Sequence, residues 1–173
     1  MDEIELLFSR RSIRRYTAES VEKNITIKMI RAGCAAPSAF NQQPWEFIVI
    51  QGKNVLNDIA RLHPYASMVK YAAGLIVVCA NPLKDEKMLG MWPQDCAAVT
   101  QNILLAAHAL GLGAVWIGIY PNKDYVTLFR KICKIPIDII PFSGISFGVP
   151  AVEKPYIDRF DDALVHWNVW RKK

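Results

Sequence analysis

The chain has 173 residues, of which 52% are hydrophobic and 21% charged, and a formal net charge of +5. That length fits one domain with a core of its own, and that balance excludes a disordered chain or a coiled coil. The excess of 21 basic over 16 acidic residues is not gathered in one run, so it permits nucleic-acid binding without arguing for it.

Asp2 caps a short first helix, with Glu5 as its capping-box partner, and Ile4, Leu7 and Phe8 give that helix an apolar face. Residues 10–16 make a poor core sequence and are expected to be extended. A helix is predicted over 20–36, with Ile27, Ile30 and Cys34 at helical spacing, ended by Pro37. Residues 37–44 read as a loop, 45–51 as a strand and 53–62 as a helix. The unbroken apolar run 74–80 fits a central strand covered on both faces. Pro93 suits the first turn of the next helix and Asp95 its positive end. Cys96, Val99, Ile103, Ala106 and Leu110 trace a seam along it, and Gly111 stops it. Apolar nearly all round, this helix belongs at the centre or at a subunit interface. Strands are predicted at 114–119 and 143–149, with a helix over 122–134 between them. The tail, 154–173, carries Tyr156, Phe160, Trp167 and Trp170. It has little core of its own and should lie against something, such as a partner subunit. The pattern is α+β, helices around a sheet of four or five strands.

No stretch reaches the roughly 20 apolar residues of a spanning helix, because 103–119 contains His108 and is broken by Gly111 and Gly113. Asp2, Glu3 and Glu5 depart from a leader pattern, so the cytoplasm is the expected compartment. Cys34, Cys79, Cys96 and Cys133 form no C-x-x-C pair and read as small buried hydrophobes in a reducing compartment.

Several chemistries find no motif. There is no phosphate-binding G-x-x-x-x-G-K-[ST] loop and no G-x-S-x-G elbow. Gly111-Leu112-Gly113 follows a helix and precedes a strand, the reverse of a dinucleotide fingerprint. His63, His108 and His166 lack metal-ligand spacing, and His108, between alanines in a helix, reads as a satisfied interior residue.

Two segments remain. In an extended segment Arg10, Ser12 and Arg14 share one face and Arg11, Ile13 and Arg15 the other. Two guanidinium forks and a hydroxyl on one face suit a phosphate ester, though a solvated basic stretch has the same composition. Residues 37–45 offer a hydroxyl, three carboxamides and two prolines. Carboxamides donate and accept, so they suit a planar ring with C=O and N–H edges; an ordinary polar turn also fits.

Taken together, the segments resemble the FMN-dependent nitroreductase family. The resemblance is carried by Arg10-Arg11-Ser12-Ile13-Arg14; by Ala36-Pro37-Ser38-Ala39-x-Asn41-x-Gln43-Pro44-Trp45; by Asp95-Cys96-Ala97-Ala98-x-x-Gln101-Asn102 and the apolar residues after it; by Gly111-Leu112-Gly113-x-x-Trp116-Ile117-Gly118; and by Gly148-Val149-Pro150 followed by Arg159. It runs from about residue 3 to 170. It implies a central mixed sheet in one domain spanning 1–173, an intertwined homodimer with FMN at the dimer interface, and a tail, from about 154, packed on the partner.

The resemblance implies roles for particular residues. Arg10 and Arg159 hold the FMN phosphate. Arg11 and Ser12 add contacts to phosphate or ribityl. Arg14 lies near the flavin N1 and O2, where a guanidinium stabilises the charge of the reduced ring. Pro37, Ser38 and Asn41 reach the flavin from the other subunit, and a backbone N–H near Gly118 faces N5. The activity implied is hydride transfer from NADH or NADPH through FMN to a nitroaromatic, quinone or related small acceptor, in ping-pong order. A flavin store or redox sensor without efficient turnover is the alternative. No nucleic acid or membrane partner is expected. The segment between Asn81 and Trp92 is brief, which points to an open or partner-built site. Met88, Met91 and Trp92 either line it or serve as packing.

Overall fold

A computed structural model describes residues 3–84 and 90–170; the Asp2 cap and Met88 lie outside them. In chain order the elements are α1 (Glu3–Ser9), α2 (Lys23–Cys34), β1 (Trp45–Ile50), α3 (Lys53–Leu62), β2 (Gly74–Ala80), α4 (Trp92–Ala109), β3 (Gly113–Gly118), α5 (Lys123–Cys133) and β4 (Ile140–Gly148). Short 3₁₀ turns occupy Ala39–Asn41, Ser67–Tyr71, Pro82–Lys84 and Asp162–Leu164.

The four strands are ordered β1-β2-β4-β3. Each pairing is antiparallel, so the expected mixed sheet is corrected. The parallel contact is confined to an isolated bridge between Ser12 and Ala114. β2 is fully buried, and its side chains divide by the pleat. Leu75, Val77 and Cys79 join a core with α3, α5 and residues 66–72. Ile76, Val78 and Ala80 join a second core with α2 and α4 on the opposite face. The apolar run therefore reports burial on both faces, not the parallel pairing that usually accompanies it.

Local chemistry sets the ends of the helices. Asn122 caps α5, its side chain accepting from the N–H groups of Asp124 and Tyr125 at 2.9 and 3.1 Å. Pro93 sits in the first turn of α4, and Gly111 after that helix takes φ +75°.

The buried face of α2 differs from the predicted seam. Thr26, Met29 and Gly33 are buried, whereas Ile27 and Cys34 are exposed. Gly33 explains the rotation: a Cβ there would stand 2.7 Å from Ile103 Cγ1, so only glycine lets α4 approach this closely. The same rotation corrects the expected burial of Cys34. Cys79 and Cys96 are buried, and Cys133 is half-buried.

α4 lies centrally, against α2 and the sheet. Trp92 is packing: its ring meets Tyr120 edge-on at 4.8 Å and Phe142 at 6.2 Å. The tail extends with Phe160, Trp167 and Trp170 at 68, 73 and 80% exposure, an apolar surface this chain leaves uncovered.

Candidate cofactor-binding site

Residues 12–17 are laid along β3 and the end of β4. Ile13 N–H donates to Ala114 O at 3.0 Å, Thr17 N–H to Val149 O at 2.9 Å, and Ala151 N–H to Arg15 O at 3.0 Å. Strict alternation fails in this segment. Ile13 and Tyr16 both enter the core, and the Tyr16 hydroxyl donates to the carbonyls of Ile13 and Ser146 at 2.9 and 3.1 Å. Burial pushes that phenol up to about 12, so it remains a donor. With two anchors three residues apart, Arg14 and Arg15 are both thrown outward and exposed.

One cleft, of about 380 Å³, is lined by Arg10, Arg11, Ser12, Arg14, Lys154, Pro155, Ile157 and Arg159. It thus brings together the five predicted residues from the N-terminal segment and the tail. Five of its lining residues are cationic and none is acidic. Burial lowers the pKa of Arg10, and the neighbouring Arg11 and Arg159 charges lower it further. Such mutual repulsion is relieved by an anion.

Arg11 is engaged by the protein itself. Its guanidinium donates to Pro155 O at 3.1 Å, to Arg10 O at 2.9 Å and to Phe8 O, and it lies over the Tyr156 ring. It ties the tail to the Arg10 segment. Lys154, which the motif reading missed, donates to Ser12 O at 3.0 Å. A cation five residues before Arg159 was the available signal.

A second cleft, of about 480 Å³, contains Arg14, His63, Ser67, Met68, Trp116, Gly118 and Tyr125 among its walls. Arg14 is therefore shared by both clefts. A Cβ on Gly118 would meet nothing within 4 Å, which leaves the wall flat at that point. His63 was also missed, because its spacing was weighed only for metal ligation. It is buried, its Nε2 lies 3.2 Å from Gly118 O, and its Nδ1 accepts from Tyr65 N–H at 3.3 Å. Its ring packs on Tyr125 at 4.2 Å.

Pro37, Ser38 and Asn41 line neither cleft. Their loop is stiffened from within: Ala39 N–H donates to Asp95 Oδ1, and Gln43 N–H to Ser38 Oγ, both at 3.0 Å. Phe40, Asn41 and Gln43 hold φ of 50, 56 and 49°, either side of a right-handed Gln42, a conformation that non-glycine residues adopt at a cost. Asp95 Oδ2 is buried without a partner among the described residues. His108 is half-buried and satisfied: its Nε2 lies 2.8 Å from Ser9 Oγ, which itself donates to Glu5 O. Among the described residues no group of three or more His, Cys, Asp or Glu side chains could hold a metal, and no helix is long and apolar enough to cross a membrane.

An antiparallel sheet between helical layers, with a cationic cleft that shares Arg14 with the cleft at Gly118, defines an α+β protein. The nitroreductase family model matches residues 7–69 and 61–149. The chain is 44% identical over 170 residues to a Methanothermobacter thermautotrophicus protein provisionally named NADH dehydrogenase/NAD(P)H nitroreductase, covering 98% of this chain and 88% of that one. A solved Parabacteroides distasonis structure with the same provisional name superposes with a TM-score of 0.92 at 38% identity, covering 96% and 98% of the two chains. A Desulfovibrio desulfuricans structure, titled a nitroreductase in complex with FMN and also provisionally named, has a TM-score of 0.83 at 29% identity, covering 99% of each chain. The chain belongs to the nitroreductase family.

Proposed function

We propose that this protein is an FMN-dependent NAD(P)H oxidoreductase of the nitroreductase type. The observation that carries the proposal is the position of Arg14, which joins the cationic cleft to the cleft at Gly118. The residues fit the cofactor. The first cleft supplies five cations for a phosphate, and the second a wall with no Cβ at Gly118 and aromatic neighbours in Trp116 and Tyr125. The relatives' names and the FMN complex of a structural neighbour support the same reading.

FMN, when bound, supplies hydride relay from a reduced nicotinamide to a small acceptor such as a nitroaromatic or quinone, donor and acceptor using one face in turn. The chain's own residues bind, orient and tune. Arg10 and Arg159 hold the phosphate, with Arg11, Ser12 and Lys154 beside them. Arg14 places positive charge at the N1 and O2 edge, where reduction adds negative charge. A backbone N–H near Gly118 would face N5. Trp116 and Tyr125 exclude water from one side of the cleft.

The rest of the proposal concerns assembly. Residues 1–173 form one FMN-binding unit that works as a homodimer in the cytoplasm. The exposed aromatic tail packs on the partner, and the stiff loop carrying Pro37, Ser38 and Asn41 reaches the partner's flavin. The uncovered surface of Phe160, Trp167 and Trp170 supports that arrangement.

The test is an absorbance spectrum of the purified protein before and after anaerobic NADH or NADPH. Flavin bands that bleach promptly are expected. Bands that persist with both dinucleotides identify a flavin store or redox sensor instead, and failure to take up FMN refutes the cofactor assignment.

A further inference from the structure

A third cleft, of about 550 Å³, opens on the other side of Arg14. Arg14, Arg15, Ser67, Met68, Lys70 and Tyr71 are among its walls, and no carboxylate lines it. It shares Arg14, Ser67 and Met68 with the cleft at Gly118, so the two adjoin. Its volume lies within the range of small-molecule sites.

The three cations here, Arg14, Arg15 and Lys70, face one cleft with no carboxylate among its walls. The ion pairs among the described residues are Arg61–Asp58 and Lys84–Glu46, and neither involves this cleft. Arg14, Arg15 and Lys70 are exposed, and Lys70 Nζ sits 4.8 Å above the Tyr71 ring. The backbone beneath them is fixed. Arg15 O accepts from Ala151 N–H at 3.0 Å, and Lys70 and Tyr71 lie in the 3₁₀ turn closed by the Ala72 N–H to Val69 O bond at 3.0 Å. A cleft of this make-up offers guanidinium and ammonium donors to a phosphomonoester, and an aromatic surface to an attached base.

We infer that this cleft binds the adenosine 2′-phosphate end of the reduced dinucleotide, so that the protein prefers NADPH to NADH and Arg15 and Lys70 determine that preference. The inference rests on the function proposed above. A dinucleotide whose nicotinamide stacks on the flavin held at Gly118 would run past Arg14 into this adjoining cleft. NADH brings only its diphosphate there. NADPH adds a monoester carrying close to two further negative charges, which Arg15 and Lys70 favour, Arg14 being turned to the flavin edge. No other described group in the lining opposes it, since Tyr16 is neutral and the remaining side chains are apolar or hydroxylic.

The experiment uses FMN-saturated protein, so that the Arg10–Arg159 cleft is already filled. Wild type, Arg15→Gln and Lys70→Gln are titrated calorimetrically with adenosine 2′,5′-bisphosphate, 5′-AMP and inorganic phosphate. The kcat/KM ratio of NADPH to NADH is measured in parallel. Tighter binding of the bisphosphate than of 5′-AMP is expected, weakened about tenfold or more by each substitution, with the NADPH to NADH ratio falling to match.

Two results overturn the inference while leaving the oxidoreductase reading standing: prompt flavin bleaching with no dinucleotide preference in wild type or variants, or inorganic phosphate binding as tightly as the bisphosphate. Bisphosphate binding lost in the variants, in a protein whose flavin neither dinucleotide bleaches, refutes the donor assignment through the failure of the functional reading itself. Both substitutions lie at exposed positions, and unchanged thermal unfolding separates a lost contact from a lost fold.

Discussion

The imidazole of His63 lies 3.2 Å, through Nε2, from the carbonyl oxygen of Gly118, across 55 residues of sequence. Nδ1 accepts from Tyr65 N–H, so the proton belongs on Nε2 and the ring donates to Gly118. One histidine thus pins the peptide that follows Gly118 in the wall of the flat cleft.

Burial lowers the pKa of His63 below its ordinary value, outweighing the bond to Gly118 that raises it. The folded state therefore takes up this proton less readily than the unfolded chain. The resulting stability is fully present above the unfolded value, about 6.5, and is lost as pH falls through the lower folded value. His108 adds in the same direction, through burial first and then the Arg10 and Arg11 charges. Wild type is expected to melt at progressively lower temperature from about pH 7 to about pH 5. His63→Gln keeps a donor without titrating, so its decline is shallower, His108 supplying part of the remainder. Thermal unfolding of both proteins across that range is the check, and parallel curves would remove His63 from the acid response.

Arg14→Ala is expected to slow flavin reduction more than it loosens FMN. The role proposed above sets its guanidinium where charge would grow during reduction and leaves phosphate retention to Arg10 and Arg159. Loss of one charged contact at the ring edge corresponds to about 1.5–3 kcal/mol, or about a ten- to hundredfold drop in the reduction rate. Stopped-flow reduction alongside an FMN titration separates the two effects. A rate that holds at the wild-type value contradicts the role given to Arg14.

Arg159→Ala is expected to weaken FMN retention by about 1.5–3 kcal/mol, the size of a charge-assisted hydrogen bond. Added salt should mimic the substitution in part, because it screens the cations that line the Arg10–Arg159 cleft. Equilibrium dialysis at two ionic strengths measures both. Wild-type affinity in the variant places Arg159 outside the site.

Where a signal was local, it could be read from the chain. The bounds of α3 and β2 were legible to the residue, because period and apolar run lie within each segment. The gathering of Arg10, Ser12, Arg14 and Arg159 was visible through ordered motifs. Contacts made at long range were not. The buried face of α2 turned on Gly33 meeting Ile103, whereas its apolar spacing pointed one residue later. The mixed sheet was an expectation of the resemblance, and the chain's own pattern could not correct it, because burial of β2 on both faces says nothing about the direction of its neighbours. Lys154 reaches Ser12 across 142 residues, and no spacing rule covers such a span.

Two glycines at the ends of β3 distinguish a site from a packing contact. A Cβ on Gly113 would stand 2.6 Å from Ile13 Cγ2 and 2.9 Å from Ile13 Cβ, both held in the core. Gly113→Ala is expected to destabilise the fold by about 1–3 kcal/mol, as overpacking does. At Gly118 the Cβ meets open space, so Gly118→Ala is expected to change urea stability by less than about 0.5 kcal/mol. The added methyl instead narrows the cleft wall shared with Arg14 and His63, and FMN retention is expected to fall about tenfold or more. Urea unfolding of the FMN-free proteins and FMN titration of each variant give the two readouts. Equal losses of stability at both positions would contradict the open space at Gly118, and FMN bound by Gly118→Ala as by wild type would show that no ring lies against it.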